Sequence, residues 1–287
     1  MKKITIAHSP DADDIFMYYA IKFGWIGIEG YRFDNIALDI ETLNEEALKG
    51  TYDITAVSFA LFPHIREEYA PLRTAVSFGE GYGPKLIRRR DTMLKRRFKV
   101  ALSGRYTTNA MLFRIAYPQA RIVYMNFLDI EDAVLRGDVD AGVLIHESIL
   151  TFDKDLIVEA ELWDIWRDLA KEELPLPLGG MALRRSLPLT RAIAFERMLT
   201  DAVRVAREHK ELLSQMLLER NLVRIDAATL ERYLELYAND DSIELNDIQL
   251  RAIDKLYTLG YEHGFYDTPV AIREYMIPRE YAALRQG

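Results

Sequence analysis

With 287 residues, of which 49% are hydrophobic and 29% charged, the chain has the composition of a globular protein. It has no cysteine, which excludes disulfides, thiolate nucleophiles and zinc–thiolate sites. Its formal net charge of −8 argues against nucleic acid or an anionic membrane surface as the main partner. The first residues run directly into a strand pattern without an apolar signal core, and no stretch reaches membrane-spanning length. We therefore expect a cytoplasmic protein that binds neither nucleic acid nor membrane.

The first third of the chain alternates short strands and helices, which is typical of an α/β fold. The first helix is indicated by apolar residues at helical spacing, from Ile15 to Phe23. In chain order the patterns predict a strand around Ile4 and Ile6, a helix over 11–23, a strand over 31–38, a helix over 41–49, and strands over 53–59, 72–78 and 84–89.

A short motif repeats at an offset of 87 residues. Residues 47–54 match residues 134–141, since both contain a helix end, a glycine, a turn, an aspartate and the start of an apolar strand. A looser similarity relates residues 6–9 and the following helix to residues 100–103 and the helix that begins at Thr107. The repeat predicts two similar α/β halves, the second starting near residue 99, although coincidence in common α/β punctuation is an alternative.

The last third of the chain is mainly helical. A Pro/Gly-rich segment, 172–180, predicts a connection between domains. The patterns then predict a strand over 181–185, helices with N-caps at Thr190 and Asp226, and a helix from Asn246 to His263. The simplest arrangement is a discontinuous larger domain, residues 1–95 and 178–287, with an inserted smaller domain, residues 96–177. The cleft between them is the default ligand site, and the helices are interpreted as covering elements.

His146 directly follows a short apolar run, Asp140 to Ile145, which predicts a buried strand after a helix that ends at Gly137. In an open α/β sheet the carboxyl ends of the strands face the ligand crevice. A histidine there, beside Glu147 and Ser148, is placed to exchange protons with a bound molecule. The alternative is a histidine that is merely hydrogen-bonded where the core meets the surface.

A second candidate site is the segment from Ser103 to Asn109, in which a strand turns through glycine into a helix. The helix begins with Thr107, Thr108 and Asn109. Unpaired backbone N–H groups and the helix dipole make such a start suitable for a substrate carboxylate. Simple N-capping by a threonine is the alternative, but one threonine would suffice for a cap, so the second favours binding.

Two further features are weaker. The helix start from Ser9 to Asp14 is acidic, so it repels anions but can accept hydrogen bonds from sugar hydroxyls. Its aspartates and His8 match no known metal-binding motif in their spacing. Helix capping accounts for the aspartates. Ser58 lies at the end of a predicted strand, roughly opposite His146 by the repeat. It lacks the glycines of a nucleophile elbow, so we favour a hydrogen bond to ligand over a serine–histidine nucleophile pair.

Several motifs together resemble the 1,4-dihydroxy-6-naphthoate synthase family of the futalosine route to menaquinone. The resemblance extends from the first strand to about residue 185 and continues more weakly through the helical tail. The motifs are Ser9-Pro10 with Asp14 before an aromatic-rich helix, Asp39-Ile-Glu-Thr-Leu-Asn44, Gly104-Arg-Tyr-Thr-Thr108, Ala141-Gly-Val-Leu-Ile-His-Glu-Ser148 and Leu174-Pro-Leu-Pro-Leu-Gly179.

The resemblance implies a two-lobed fold like the type II periplasmic binding proteins, with a mixed sheet flanked by helices in each lobe and the ligand between them. It also implies that His146 is the catalytic base, that Thr107 and Thr108 hold substrate and that Ser58 lines the cleft. Asp14 matches the aspartate of the family's motif. Family members often have Cys-Pro-Asn-Asp-Thr after Ser-Pro, whereas this chain has Asp-Ala-Asp-Asp-Ile at 11–15. Any role of the aspartates at 11 and 13 is therefore open.

The implied activity is that of a carbon–carbon lyase without metal or organic cofactor, which converts cyclic dehypoxanthine futalosine to 1,4-dihydroxy-6-naphthoate. Neutral His146 would remove a proton from a substrate whose carboxylate lies at the Thr107–Thr108 helix start. The pathway's chorismate dehydratase is the nearest alternative, and the Ile-His-Glu-Ser context favours the synthase. A non-catalytic small-carboxylate-binding protein would need a signal segment or an anchoring cysteine, and a ligand sensor would need a DNA-binding segment; neither is evident.

Overall fold

The strands form two sheets, A and B, each flanked by helices, in a computed structural model that describes residues 1–223 and 225–281 apart from the side chains of Asp13 and Asp241. This architecture confirms the predicted α/β class. We call the part of the chain that contains sheet A the first lobe. The second lobe is sheet B with the helices packed on it.

Sheet A has the strand order β2-β1-β3-β11-β4, with β5 paired to β11. Strand β1 is parallel to β2 and β3, whereas β11 is antiparallel to β3, β4 and β5. The strands are β1 (Lys2–His8), β2 (Tyr31–Ala37), β3 (Ile54–Ser58), β4 (Tyr69–Pro71), β5 (Ser77–Gly79) and β11 (Leu176–Arg184).

Sheet B has the order β10-β6-β9-β7-β8. Strand β7 is parallel to β8 and β9, whereas β6 is antiparallel to β9 and β10. The strands are β6 (Lys85–Arg89), β7 (Lys99–Leu102), β8 (Arg121–Tyr124), β9 (Ala141–Leu144) and β10 (Leu156–Glu161).

Helices connect the parallel strands and make up most of the chain after β11. They are α1 (Ala12–Lys22), α2 (Ile40–Leu48), α3 (Phe62–Ile65), α4 (Thr108–Ala116), α5 (Ile130–Arg136), α6 (Leu162–Ala170), α7 (Leu189–Glu208), α8 (Lys210–Glu219), α9 (Ala227–Tyr237) and α10 (Asp247–Glu262).

Most helix ends follow the predicted local chemistry. The Asp226 side chain accepts from the N–H of the third residue of α9, as predicted. The predicted helix from Asn246 is α10, and Asn246 closes a capping box at its start. Gly137 ends α5 with φ 77°, a left-handed conformation that glycine adopts without strain. The predicted cap at Thr190 is wrong, because the N-cap position is Pro188, two residues earlier, and α7 begins at Leu189.

The two lobes share the repeat that the sequence predicts. Each runs strand, helix, strand, helix, strand, and in each the first strand lies between the other two in parallel pairing. The carboxylate of Asp53 accepts from the N–H of Thr5 at 2.8 Å, and that of Asp140 accepts from the N–H of Lys99 at 2.7 Å. The repeated aspartate therefore ties the start of the third strand to the first strand in both lobes.

The predicted strand over 72–78 is wrong, because the segment is broken between β4 and β5. Ala75 has φ 54°, a left-handed conformation that interrupts an extended chain. The N–H groups of Leu72 and Ala75 donate to the carbonyls of Met181 and Ser242, at 2.8 and 2.9 Å. The segment therefore turns to contact two distant parts of the chain.

The Pro/Gly-rich segment is also different from the prediction. Its second half is the start of β11, and a register shift between Pro177 and Gly179 accommodates the irregular backbone. Strand β6 pairs in sheet B, although the predicted division at residue 96 assigned it to the first domain. A division of the chain at the sheet crossings would place the first boundary before Lys85.

The core consists of two buried clusters. One contains Phe16, Leu86, Val143 and Tyr257 and extends from the first lobe through sheet B to the helical tail. The other contains Phe195 and packs sheet A against α7. Apolar packing is thus continuous across the lobes. No helix in the described part of the chain has both the length and the apolar character needed to cross a membrane.

Candidate active site

A cavity lies between the lobes, at the carboxyl ends of β3 and β9 and the first turns of α1 and α4. The space free of protein atoms there is about 770 Å³, open solvent at the mouth included. All the side chains that the sequence indicated line this cavity, and their roles stay predictions: Asp14, Ser58, Thr107, Thr108, Asn109 and His146.

His146 lies where β9 ends, as predicted. Ile145 is extended, and His146 then has φ 56°, which starts a short 3₁₀ turn. The ring packs edge-on against Phe127, with 4.9 Å between ring centroids. Its side chain is 17% exposed, on the cavity wall. A left-handed non-glycine residue at the end of a strand is of the kind found at functional sites.

Asp11 contacts the Nδ1 side of this imidazole. Its Oδ2 lies 2.6 Å from His146 Nδ1, and the carboxylate is almost fully buried. Asp11 occupies the N-cap position of α1, yet its side chain makes no capping hydrogen bond. Capping therefore does not explain Asp11, which corrects the sequence interpretation.

Asp14 is buried in the first turn of α1. Its Oδ2 accepts from the N–H of Ser9 at 2.8 Å. Burial raises the pKa of Asp14 to about 7, and the negative charge of Asp11 adds to this, while the Ser9 N–H and His146 partly oppose it. Near neutral pH a large fraction of the Asp14 carboxyl groups is therefore protonated, and a protonated carboxyl group can donate a hydrogen bond. The side chain of Asp13 lies outside the described residues.

Ser58 is oriented by Asn44 at the end of β3. The Ser58 N–H donates to Asn44 Oδ1 at 3.0 Å, and Asn44 Nδ2 donates to Ser58 Oγ at 3.1 Å. Both residues are buried. Because the hydroxyl oxygen already accepts the amide proton, its own proton is the group available to donate to a ligand. This geometry suits the predicted hydrogen bond to ligand.

The two threonines at the start of α4 have different contacts. Thr107 is the cap, since its Oγ1 accepts from the N–H of Ala110 at 3.2 Å. Thr108 Oγ1 accepts from the N–H of Ala60 at 3.2 Å and donates to the Leu178 carbonyl at 2.9 Å. The second threonine therefore connects α4 to the first lobe. The adjacent Asn109 is buried and lines the cavity, and its Oδ1 has no protein partner among the described residues.

A carboxylate of the protein itself occupies the turn before α4. Glu41, from α2, accepts from the N–H of Arg105 at 2.5 Å and of Tyr106 at 3.1 Å. A Cβ on Gly104 would lie 2.2 Å from Glu41 Oε2, so only glycine fits. Burial raises the pKa of Glu41, and the two backbone donors partly oppose this. The hydrogen bonds of Glu41 end at Tyr106, before the first turn of the helix itself at Thr108 and Asn109.

Several lining residues were not indicated by the sequence. Tyr233 and Tyr237 of α9 line the cavity and pack on each other, with 4.9 Å between ring centroids, although α9 was interpreted as a covering helix. Their hydroxyls, in an otherwise apolar stripe, were the available signal. Ser9, which belongs to the acidic helix start that the sequence singled out, also lines the cavity, and its buried Oγ has no protein partner among the described residues. No group of three His, Asp or Glu side chains in the described part is arranged to hold a metal ion.

The comparison with protein families gives the decisive observation. Residues 4–262 match the model of a family described as Menaquinone biosynthesis. The chain belongs to this family. Membership of a biosynthetic family indicates a small-molecule substrate.

Named relatives of this menaquinone biosynthesis protein agree with one another. A Thermus thermophilus protein is 28% identical over 267 residues, covering 92% of this chain and 96% of the relative. A Streptomyces coelicolor protein is 29% identical over 268 residues, covering 91% and 94%. Both are named 1,4-dihydroxy-6-naphthoate synthase.

Solved structures confirm the fold. An Archaeoglobus fulgidus protein is 33% identical, with a TM-score of 0.84, and covers 92% of this chain and 98% of its own. The periplasmic aliphatic sulphonate-binding protein of Escherichia coli is 13% identical, with a TM-score of 0.65, and covers 96% and 98%. At that identity the second similarity shows the fold alone. The fold is therefore the two-lobed periplasmic-binding-protein type, as predicted.

Proposed function

We propose that this menaquinone biosynthesis protein is a carbon–carbon lyase that converts cyclic dehypoxanthine futalosine to 1,4-dihydroxy-6-naphthoate. Its family and the names of two full-length relatives support this activity. The observation that carries the mechanism is His146, which lies on the wall of the interlobe cavity with Nδ1 beside a buried carboxylate. A cytoplasmic location belongs to the same proposal.

The substrate carboxylate binds at the first turn of α4. The backbone N–H groups of Thr108 and Asn109 have no acceptor within the helix, and the positive end of the helix dipole favours an anion there. Glu41 already neutralises the preceding turn, which restricts the carboxylate to this position. Ser58 and protonated Asp14 donate to other oxygen atoms of the substrate.

Neutral His146 accepts a proton from the bound substrate. The carbon–carbon bond to the ribose-derived part then breaks, and the released ring becomes aromatic, which drives the reaction forward. An imidazole, with an ordinary pKa of about 6.5, is suited to this step near neutral pH. A positioned general base contributes roughly 10²–10⁴-fold to the rate. The buried cavity excludes water from the reactive intermediate.

Direct incubation with substrate tests this function. Purified protein is mixed with cyclic dehypoxanthine futalosine, and the naphthoate product is followed by liquid chromatography and mass spectrometry. A parallel incubation uses the chorismate-type substrate of the pathway's dehydratase. We expect naphthoate from the first substrate and no turnover of the second. Turnover of the chorismate-type substrate alone would identify a dehydratase, and tight binding of the futalosine without product would identify a non-catalytic binding protein.

A further inference from the structure

We propose that Asp11 is a positioning residue, which holds His146 in the tautomer that carries its proton on Nδ1, so that Nε2 is the basic nitrogen of the ring. The inference rests on the proposed role of His146 as the base, and it extends that role to a residue whose function the sequence left open. It assigns Asp11 no contact with the substrate's reacting atoms.

The geometry of the pair supports this tautomer. A carboxylate is an acceptor only, so a 2.6 Å contact between Asp11 Oδ2 and His146 Nδ1 places the proton on Nδ1. The distance is slightly shorter than the ~2.7–2.9 Å usual for a charge-assisted hydrogen bond from nitrogen to a carboxylate. Asp11 is 2% exposed, so water competes poorly for its oxygen. In a neutral imidazole, the partner of one ring nitrogen decides which nitrogen is basic.

The N-cap position does not account for the Asp11 side chain. It makes no capping hydrogen bond to α1. Instead the first N–H of the helix, from Ala12, donates to Glu147 Oε1 at 3.0 Å. Glu147 belongs to the same turn as His146. Two carboxylates therefore connect the lobes here: Glu147 accepts from the start of α1, and Asp11, at that start, contacts the imidazole of His146.

The charges around the ring favour Asp11 as its stabilising partner. The titratable groups that face His146 are Asp11 and Asp14 from the start of α1, and Glu147 from its own turn, while Phe127 packs against the ring. Asp14 is partly protonated near neutral pH, in part because of the negative charge of Asp11. When His146 accepts a proton, the carboxylate of Asp11 therefore stabilises the imidazolium.

Nitrogen-15 NMR of the histidine side chains tests the tautomer without any assay of activity. The chain has five histidines, and the spectrum of a His146→Gln variant assigns the signals of His146. At a pH where the ring is neutral, we expect protonated Nδ1 and unprotonated Nε2 in the wild-type protein. In Asp11→Ala we expect a shift towards protonated Nε2. Protonated Nε2 in the wild type, or an unchanged tautomer in Asp11→Ala, would overturn the inference.

Kinetics of the same variants test the catalytic consequence. We expect kcat of Asp11→Ala to fall more than ~10-fold and by up to ~10⁴-fold, the cost of a wrong tautomer in a carboxylate–histidine pair, with KM nearly unchanged. The acidic limb of its kcat/KM profile should move to lower pH, because the charge that favours the imidazolium is gone. Asp11→Asn should not recover kcat, because its amide N–H can donate to Nδ1 and favour the opposite tautomer. Asp11→Glu keeps a carboxylate acceptor and should recover part of kcat.

The failure of this inference and that of the proposed function are distinguishable. An active wild-type protein with an unchanged kcat in Asp11→Ala would overturn only the role of Asp11. A wild-type protein without turnover would overturn the proposed function, and the NMR spectra would still decide the tautomer. Circular dichroism of each variant separates loss of the fold from loss of the pair.

Discussion

Glu147, in the turn after β9, accepts a hydrogen bond from the backbone N–H of Ala12, with 3.0 Å between Oε1 and N. Glu41, in α2, makes the converse contact to the amides of Arg105 and Tyr106 in the second lobe. Each lobe therefore contributes a carboxylate that binds backbone donors of the other lobe across the cavity. The contact of Glu147 also ties the turn that carries His146 to the start of α1.

Removal of the Glu41 carboxylate should weaken the contact between α2 and the turn before α4. In Glu41→Ala the amides of Arg105, an exposed residue, and Tyr106, a half-buried one, lose a charged acceptor. A hydrogen bond to a charged group contributes ~1.5–3 kcal/mol, and less where water can replace the acceptor. We expect faster hydrogen exchange at these two amides and a rise in KM of roughly tenfold, because ~1.4 kcal/mol of closure energy is lost. Mass spectrometry of deuterated peptides and steady-state kinetics measure both. Glu45→Ala, at an exposed site on the same helix, is the matched control; equal exchange in the two variants would contradict the contact.

The raised pKa of Asp14 predicts a pH-dependent cost in stability. The folded protein holds this proton with a pKa of about 7, whereas the ordinary value is 3.8. Raising the pH from about 4 to about 7 therefore favours the unfolded chain, by ~4 kcal/mol at most. Asp14→Asn has a neutral side chain at every pH, so its free energy of unfolding does not contain this pH-dependent loss.

Urea unfolding at several pH values measures the effect. The free energy of unfolding of Asp14→Asn, minus that of the wild type, should rise between pH 4 and 7 and then level off. Asp168→Asn, at an exposed position on α6, should follow the wild type at every pH. A constant difference between Asp14→Asn and the wild type would show that Asp14 is ionised throughout.

Asn44 should matter for both stability and substrate binding, because it is fully buried and makes two hydrogen bonds to Ser58. Asn44→Ala leaves the N–H of Ser58 unsatisfied, and we expect a loss of ~1–3 kcal/mol in unfolding free energy together with a higher KM. Asn44→Asp keeps an acceptor for that N–H but removes the donor to Ser58 Oγ. Unfolding and kinetic measurements on the pair separate the two bonds; an unchanged KM in both variants would remove Ser58 from the substrate contacts.

Features that depend on a few neighbouring residues were predictable from the sequence. The caps at Asp226 and Asn246 and the glycine end of α5 follow from chemistry within one helical turn. His146 and Ser58 could be placed at the cavity because each directly follows an apolar strand, and a strand end in an α/β sheet faces the crevice.

Features that depend on distant contacts were not predictable. The bond between Ala12 and Glu147 joins residues 135 positions apart, and nothing near either residue indicates it. The pair of Asp11 and His146 has the same origin. The pairing of β6 in sheet B has the same origin, because its partners, β9 and β10, lie more than fifty residues later. Tyr237 reaches the cavity only through the packing of α9 on the first lobe.

The account depends most directly on His146 as the base, and one comparison of turnover tests it. We expect His146→Ala to keep its fold and to bind cyclic dehypoxanthine futalosine, while kcat for naphthoate formation falls by roughly 10²–10⁴-fold. His263→Ala, at the exposed end of α10, should retain wild-type turnover. Turnover of His146→Ala within a few-fold of the wild type would contradict the mechanism.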